Sequence, residues 1–572
     1  MELNNSRPYT QLSRGGKTVK IFNSYHIRSF LAREGATYDG VLRCWVIPLN
    51  HITAKRLLTL SDVLLFDEET LSICNRLSEF DPFCKIECAI RYIPAIPDMS
   101  HQVAAKKHID GLVASGLFME MGCGKTKTAL EIAIERHRNG YFDTIAICTR
   151  VGLQKSSLAD DIMKFVDDDY ELFHLLSNSQ THCLRYRRDE SKKLRILTFG
   201  YSSIQNEVGW QASFINKYLG EEPFALICDE AHYIKNSTSA TYKSLHKIRY
   251  KENCKTMIAL TGTPMTNTIL DYYGVLSMIN KDALPVTSKT GFLARYTEQT
   301  SDKRQIIGLR NEEELFGIVN KMCFICKKDD VLDIPPKTYI VRKIELGSEQ
   351  KRLIREAKSR INTKTDNLGE VSIRDALNNA LSIFTYCVRV SSGIVKDDET
   401  GAFKLIDTTK ISELIETLKD IPSNDQVVVW AASIEELKII KTYLFNNDYT
   451  YAEYHGGLSQ KDKLDNLNKF IDGSKWIFLA TPQCGGEGLN LTNARYVIYY
   501  SNSLRLGDRL QSEDRCHRKG QAGNVTYIDL ICGPIESKIF SMNKEKRDFA
   551  TFISDSITKN GISDEFLGIF ND

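Results

Sequence analysis

Residues 119–126 read MEMGCGKT, preceded by an apolar run ending in Leu117, Phe118 and Met119 and followed by KTALEIAIERH. In that following stretch Ala129, Leu130, Ala133 and Ile134 recur at helical spacing. Strand, glycine-rich loop and helix in this order aim backbone N–H groups and a helix N-terminus at a phosphate. Gly122 and Gly124 let the backbone approach phosphate oxygens, Lys125 reaches the outer phosphates, and Thr126 can hold magnesium. The strict form of such a loop has Gly where Met119 stands. Further along, LICDEAH (226–232) puts Asp229 and Glu230 at the carboxyl end of a second apolar strand, where ligands bind in open α/β sheets. Alone, the acidic pair would be a solvated turn. With a phosphate loop upstream, Asp229 can bind magnesium while Glu230 orients and deprotonates a water for in-line attack on the γ-phosphate of ATP.

The elements that must position these groups alternate between β-rich runs and helical patterns, twice over. In the first half the strands are expected near Leu117 and at 144–148, 194–199, 224–228 and 256–260. In the second half they are expected at 426–430, 476–480, 495–500 and 525–531. The stretch from about 270 to 415 reads as mostly helical, interrupted at Ile334-Pro335-Pro336-Lys337, where paired prolines stop a helix and suggest a hinge. The first ninety residues differ, with Phe22, Tyr25, Phe30, Tyr38 and Trp45 set among Arg and Lys. Three domains follow: 1–92 accessory, 93–340 and 341–572 as two α/β lobes, each with a parallel sheet and a helical insertion, the last closing on a C-terminal helical brace.

At 572 residues the chain has room for several cores, and 26% charged with 13 Pro is the composition of a globular protein rather than a disordered one. A net charge of +2 excludes a bulk polycation, so contact with nucleic acid has to come from a local basic groove. No run reaches the roughly 18 apolar residues of a membrane span. The 15 Cys are scattered and the amino terminus lacks a secretory core, which suggests reduced thiols in the cytoplasm. Cys323 and Cys326 form one CxxC with no second pair at zinc spacing, and read as ordinary buried or surface thiols.

From Gln102 to Ile531 the motifs, taken in order, resemble those of the Swi/Snf-type DNA-dependent ATPases of helicase superfamily two. The loop MEMGCGKT looks like that family's phosphate loop, which itself lacks the first Gly, and DEAHYIKN (229–236) is close to its second motif. The resemblance implies two RecA-like lobes that bind ATP and Mg2+. It makes Gln102 the adenine reader and has LTGTPMTN (260–267) couple nucleotide state to movement through Thr261 and Thr263. YHGGLS (454–459) fits as well. TPQCGGEGLNLTNA (481–494) matches the fifth motif, with Gly488 on the nucleotide, and QSEDRCHRKGQ (511–521) the sixth. There Gln511, Arg515 and Arg518 are implied to be catalytic. The two arginines, three apart, would share a helix face and act as arginine fingers, a device worth about 10³–10⁵ in rate. SNSLRLGD (501–508) departs from the aromatic and proline pattern usual between these motifs. The segment Phe22–Asn50 faintly resembles the substrate-recognition module of HepA-related (HARP-type) annealing helicases.

The expected function is therefore an ATP-driven translocase on duplex, forked or branched DNA. Thr149, Arg150, Tyr201, Ser202 and Thr481 are placed like the family's DNA-contacting residues. The alternatives are a DEAH-type RNA helicase, and a nucleic-acid-binding scaffold whose ATPase is inactive.

Overall fold

The computed structural model describes residues 7–562 apart from 35, 156, 177–192, 207–208, 263–269, 287, 300–305, 329, 332–334, 366–372, 398–400, 488, 519–520, 522, 546–548, 550–551, 553–556 and 559–560. The chain divides into two units, Met1–Val331 and Leu332–Asp572.

The first unit opens with a small antiparallel sheet of β1 (Tyr9–Leu12), β2 (Thr18–Phe22), β3 (Thr37–Asp39) and β4 (Cys44–Pro48), in the order β1-β2-β4-β3. Alternation along the strands turns Val19, Ile21 and Ile47 inward against Leu31, Ala54, Leu57, Leu64 and Cys74, which gives this module its own core. Phe30 and Trp45 pack against that core, while Tyr25 and Tyr38 are exposed and Tyr9 stacks on Phe22 at 5.0 Å. A charge network ties the module to later residues of the unit. Arg295 donates to Glu314 at 2.9 and 2.6 Å and to Glu34 at 3.4 Å, and Arg56 pairs with both carboxylates.

Beyond the module run β5 (Ala114–Met119), β6 (Thr144–Thr149), β7 (Tyr170–Leu175), β8 (Leu194–Gly200), β9 (Phe224–Cys228), β10 (Cys254–Leu260), the hairpin β11 (Thr297–Gln299) and β12 (Ile306–Leu309), and β13 (Cys323–Cys326). Seven of them form a wholly parallel sheet in the order β13-β5-β10-β9-β6-β8-β7. Every residue of β5, β6 and β9 is buried, as expected of parallel strands covered on both faces. The five strands expected in this half are present. The sequence reading did not anticipate β7 and β13, and the expected CxxC is a pair of buried thiols at the two ends of β13.

The second unit contains β14 (Lys337–Ile344), the hairpin β15 (Ile394–Lys396) and β16 (Phe403–Leu405), then β17 (Gln426–Trp430), β18 (Tyr451–Tyr454), β19 (Ile477–Ala480), β20 (Ala494–Tyr499) and β21 (Val525–Cys532). Its six-stranded parallel sheet has the order β14-β21-β20-β17-β19-β18. The fold class is thus α/β with two parallel sheets and a small antiparallel one. The division after Val331 precedes the expected boundary at 340 because β14 pairs residue for residue with β21, and a cut at 340 would split a strand. The prolines 335 and 336 lead into that strand. The stretch 270–415 holds the expected helices, the longest being Ser348–Thr365 and Ile373–Ser391, but also β11 to β16. Of the expected carboxyl-terminal brace, the helix Gly533–Lys544 packs on the core of the unit with Phe549 and Phe552, and 563–572 lie outside the described residues. Among the described residues no helix is long and apolar enough to cross a membrane.

Candidate nucleotide site

The phosphate loop leaves β5 at Met119 and enters the helix Lys125–Arg138. Gly122 and Gly124 have φ of +86° and +81°, a left-handed conformation that strains any residue with a Cβ. A Cβ on Gly124 would also lie 2.0 Å from Nε2 of Gln102. Gln102 is buried; its Oε1 accepts the Met99 N–H at 2.9 Å and its amide reaches the Cys123 carbonyl at 3.5 Å. Nε2 of His101 lies 2.9 Å from the same carbonyl oxygen, so these two side chains bracket the loop. Behind it, Lys127 and Lys106 pair with Asp98 and Glu131, and the buried Arg136 donates to the Leu112 carbonyl at 2.7 Å. The loop is mounted on a stiff base. At its front, Gly262, just past β10, approaches so closely that a Cβ there would meet Nζ of Lys125 at 3.5 Å and the Met121 amide nitrogen at 3.4 Å.

Asp229 and Glu230 follow β9 in the same row of strand ends. The Asp229 amide donates to the Cys148 carbonyl at 2.9 Å, and its carboxylate accepts the Thr149 hydroxyl at 2.9 Å. The Tyr201 hydroxyl donates to the Asp229 carbonyl at 2.7 Å. Burial, and then the adjacent Glu230, raise the Asp229 carboxyl above the usual aspartate range against the pull of Thr149 and Lys125. Glu230 sits at φ +51°, a strained backbone for a non-glycine residue, with Oε2 3.2 Å from Nδ1 of His232. Two carboxylates crowded beside one lysine favour a divalent cation between them and a phosphate. Thr126, in the first turn of the loop helix, and Asp229 are the residues whose chemistry could hold magnesium.

Three of the residues expected to contact nucleic acid have their hydroxyls engaged within the fold. Thr149 spends its hydroxyl on Asp229, Tyr201 spends its own on the Asp229 backbone, and Thr481 is buried with its hydroxyl 3.4 Å from Cys484 Sγ. Arg150 and Ser202 remain accessible. Beside them is a residue the sequence reading missed: Tyr233, exposed, stacked on Tyr201 at 5.5 Å, with the Arg150 guanidinium 5.8 Å from its ring centre. Its signal was the aromatic immediately after DEAH.

Within the second unit, the helix Leu506–Cys516 carries Gln511 and, in its last turn, Arg515. The expected shared helix face of Arg515 and Arg518 is not formed. The helix stops at Cys516, His517 leaves it at φ −99° and ψ 81°, and Arg518 lies beyond, donating from Nη1 to the Leu489 carbonyl at 3.1 Å. The cause is tertiary: the Arg515 carbonyl accepts the Leu491 N–H at 3.0 Å, and Nε2 of His517 lies 2.8 Å from the Pro335 carbonyl oxygen. Thr261 is buried, its amide donating to the Leu117 carbonyl at 3.2 Å. Thr263 and Gly488 lie outside the described residues.

Comparison with known proteins gives two family matches, an SNF2-related domain over residues 99–390 and a helicase conserved C-terminal domain over 409–520. An uncharacterized ATP-dependent helicase of Mycoplasma genitalium is 25% identical over 393 residues, covering 67% of this chain and 35% of that protein. A DNA repair and recombination protein, RAD54-like, of Danio rerio is 25% identical over 364 residues, covering 58% and 48%. The chain therefore spans between a third and a half of the length of these relatives. A solved SWI2/SNF2 ATPase core of Sulfolobus solfataricus, in complex with double-stranded DNA, is 20% identical, with a TM-score of 0.36 over 85% of this chain and 99% of that one.

Proposed function

The chain belongs to the SNF2-related family, and from that premise we propose that it hydrolyses ATP to drive movement along DNA. The observation that carries the reading is the pairing of the left-handed glycine loop and Lys125 with a buried carboxylate, Asp229, which Thr149 orients at the neighbouring strand end. Magnesium, when bound, supplies neutralisation of phosphate charge and orientation of the γ-phosphoryl group. The protein's own part is assigned as follows. Loop amides and Lys125 hold the phosphates, Thr126 and Asp229 hold the cation, and Glu230 takes the proton of the attacking water. Gln511, Arg515 and Arg518 are assigned to the transferring phosphoryl group, Gly488 to the nucleotide, and Gln102 both to the adenine and to bracing the loop.

DNA is favoured as the track by the accessible Arg150, Ser202 and Tyr233 beside the carboxylates, which offer cationic, hydroxyl and stacking contacts to a backbone and its bases. The relatives that are DNA repair and recombination proteins point the same way. For the amino-terminal module we propose recognition of forked or branched DNA, supported by its exposed Tyr25 and Tyr38 and by the stacked Tyr9–Phe22 pair beside Lys20.

The test is steady-state ATP hydrolysis at one salt concentration with no nucleic acid, duplex, single-stranded and forked DNA, and RNA, because phosphate-driven affinity varies steeply with salt. Greatest stimulation by duplex or forked DNA is expected. Stimulation by RNA alone would replace the reading with an RNA helicase. ATP binding without hydrolysis under any condition would make the chain a scaffold.

A further inference from the structure

The segment 501–508, which lacks the aromatic and proline residues usual before the sixth motif, is filled in another way. Arg509, one turn into the helix Leu506–Cys516, is buried and uses all three of its guanidinium nitrogens. Both Nη atoms pair with the carboxylate of Asp529 on β21, Nη2 at 2.9 Å; Nη1 also reaches Oδ1 of Asn502 at 2.8 Å, and Nε donates to Glu513 at 2.7 Å. Asn502 completes the triangle by donating to Asp529 at 3.0 Å. The other oxygen of Glu513 accepts Lys337 Nζ at 2.9 Å and the Tyr339 hydroxyl at 2.8 Å, both from β14. The guanidinium carbon lies 3.5 Å from the ring centre of Tyr499 on β20, whose hydroxyl is 2.6 Å from Ser512 Oγ.

Two cations and two carboxylates thus balance inside the unit and join one helix to three strands. Apolar packing would let the helix slide or roll at small cost, whereas a bidentate guanidinium–carboxylate pair sets direction as well as distance. The same helix carries Gln511 and Arg515 and leads directly into Arg518. A 1 Å displacement of a catalytic group can cost about 10²-fold in rate, so the rotation of this helix matters for any group projecting from it.

Resting on the assignment of Arg515 and Arg518 to phosphoryl transfer, we propose that Arg509, held by Asp529 and Asn502, is a positioning residue that fixes the helix that carries Arg515 and leads into Arg518. The network sets the rate of the chemical step and leaves ATP affinity alone.

The experiment compares the full-length wild-type chain with Arg509→Lys, with the double variant Arg509→Met/Asp529→Asn, which removes both charges and leaves neither stranded, and with Arg515→Ala and Arg518→Ala. Each is measured for kcat and KM in saturating DNA, for binding of a fluorescent ATP analogue, and for thermal unfolding. The double variant is expected to stay folded and to bind the analogue with unchanged Kd, while kcat falls by about tenfold or more. Arg509→Lys, keeping the charge but not the fork, is expected to fall between the two. If the double variant, folded, turns over at the wild-type rate while Arg515→Ala and Arg518→Ala do not, the positioning role is wrong and the arginine assignment stands. If both single arginine variants hydrolyse ATP normally, the assignment itself fails and the positioning role with it. A kcat that merely tracks the folded fraction would also overturn the proposal.

Discussion

Asp229, just past β9 of the first unit, and Asp529, within β21 of the second, are both carboxylates set into apolar parallel sheets. Their surroundings are opposites. Asp529 has a bidentate arginine and a carboxamide, and the adjoining Glu513 carboxyl is pulled down to about 2: burial would raise it, but Arg509 and Lys337 outweigh burial. Asp229 has one hydroxyl, the Glu230 backbone amide, a lysine acting through space and a second carboxylate beside it, and its carboxyl is raised. The second unit closes its charges into a balanced set, whereas the first leaves negative charge uncompensated at the end of a strand, next to a loop shaped for phosphates. The uncompensated charge is where chemistry is expected, because a group fully satisfied by the fold has nothing left to offer a ligand.

The contrast can be broken in several places. Lys125→Ala is expected to abolish ATP hydrolysis while moving the melting temperature by less than about 2 °C, since the ammonium serves ligand rather than core. Unaltered turnover would remove the phosphate site altogether. Asp529→Ala, which removes the bidentate partner of Arg509 and leaves Arg509 and Lys337 sharing the one carboxylate of Glu513, is expected to cost about 3–5 kcal/mol and to lower the melting temperature by roughly 10 °C. A neutral result there would mean that the two units do not differ as described. Acid should sharpen the comparison. The folded-state pKa of Glu513 lies below the ordinary 4.5, so its stabilising contribution is whole above about pH 4.5 and is lost as pH falls towards 2. Melting curves from pH 6 to 3 are expected to slope less steeply for Glu513→Gln than for the wild type. The smallest effect has the opposite sign. Because the Asp229 pKa is raised, its carboxyl favours the fold only while protonated, and that contribution is lost as pH rises through the folded-state pKa. Asp229→Asn should therefore raise the melting temperature by roughly 2 °C at neutral pH while hydrolysis is lost; a lower melting temperature would show that the carboxylate is already neutralised.

The phosphate loop was legible because its requirements are local: two glycines in left-handed conformation, a strand before them and a helix after them, all contiguous in sequence. The Asp229–Glu230 pair was legible for the same reason. What escaped was set by distant partners. The four residues of β13 carry no periodicity, and their strand exists because β5 lies alongside. β14, KTYIVRKI, has no alternation of polar and apolar side chains, lies at the edge of a sheet and follows two prolines, so it read as part of a hinge. Arg515 and Arg518 were put on one helix from their spacing, and the helix ends between them for reasons that lie at Leu491 and Pro335. The Arg509 network joins positions 337, 502, 509, 513 and 529, and nothing in any one of those segments announces the others.

The neighbours in the second sheet also bear on how the chain is made. β14 is its first strand in sequence and sits at an edge, with β21, the last, as its only partner there. In the first unit β13 likewise completes a sheet that begins at residue 114. During synthesis neither sheet can close until its late strand has emerged from the ribosome, residues 323–326 for one and 525–532 for the other. Until then β14 lacks the strand that joins it to the sheet, and its positively charged Lys337, Arg342 and Lys343 oppose premature pairing with other chains. A nascent chain halted near residue 520 would hold the helix of Arg515 and the unfinished sheet without Asp529, an unfinished lobe and a ready substrate for chaperones.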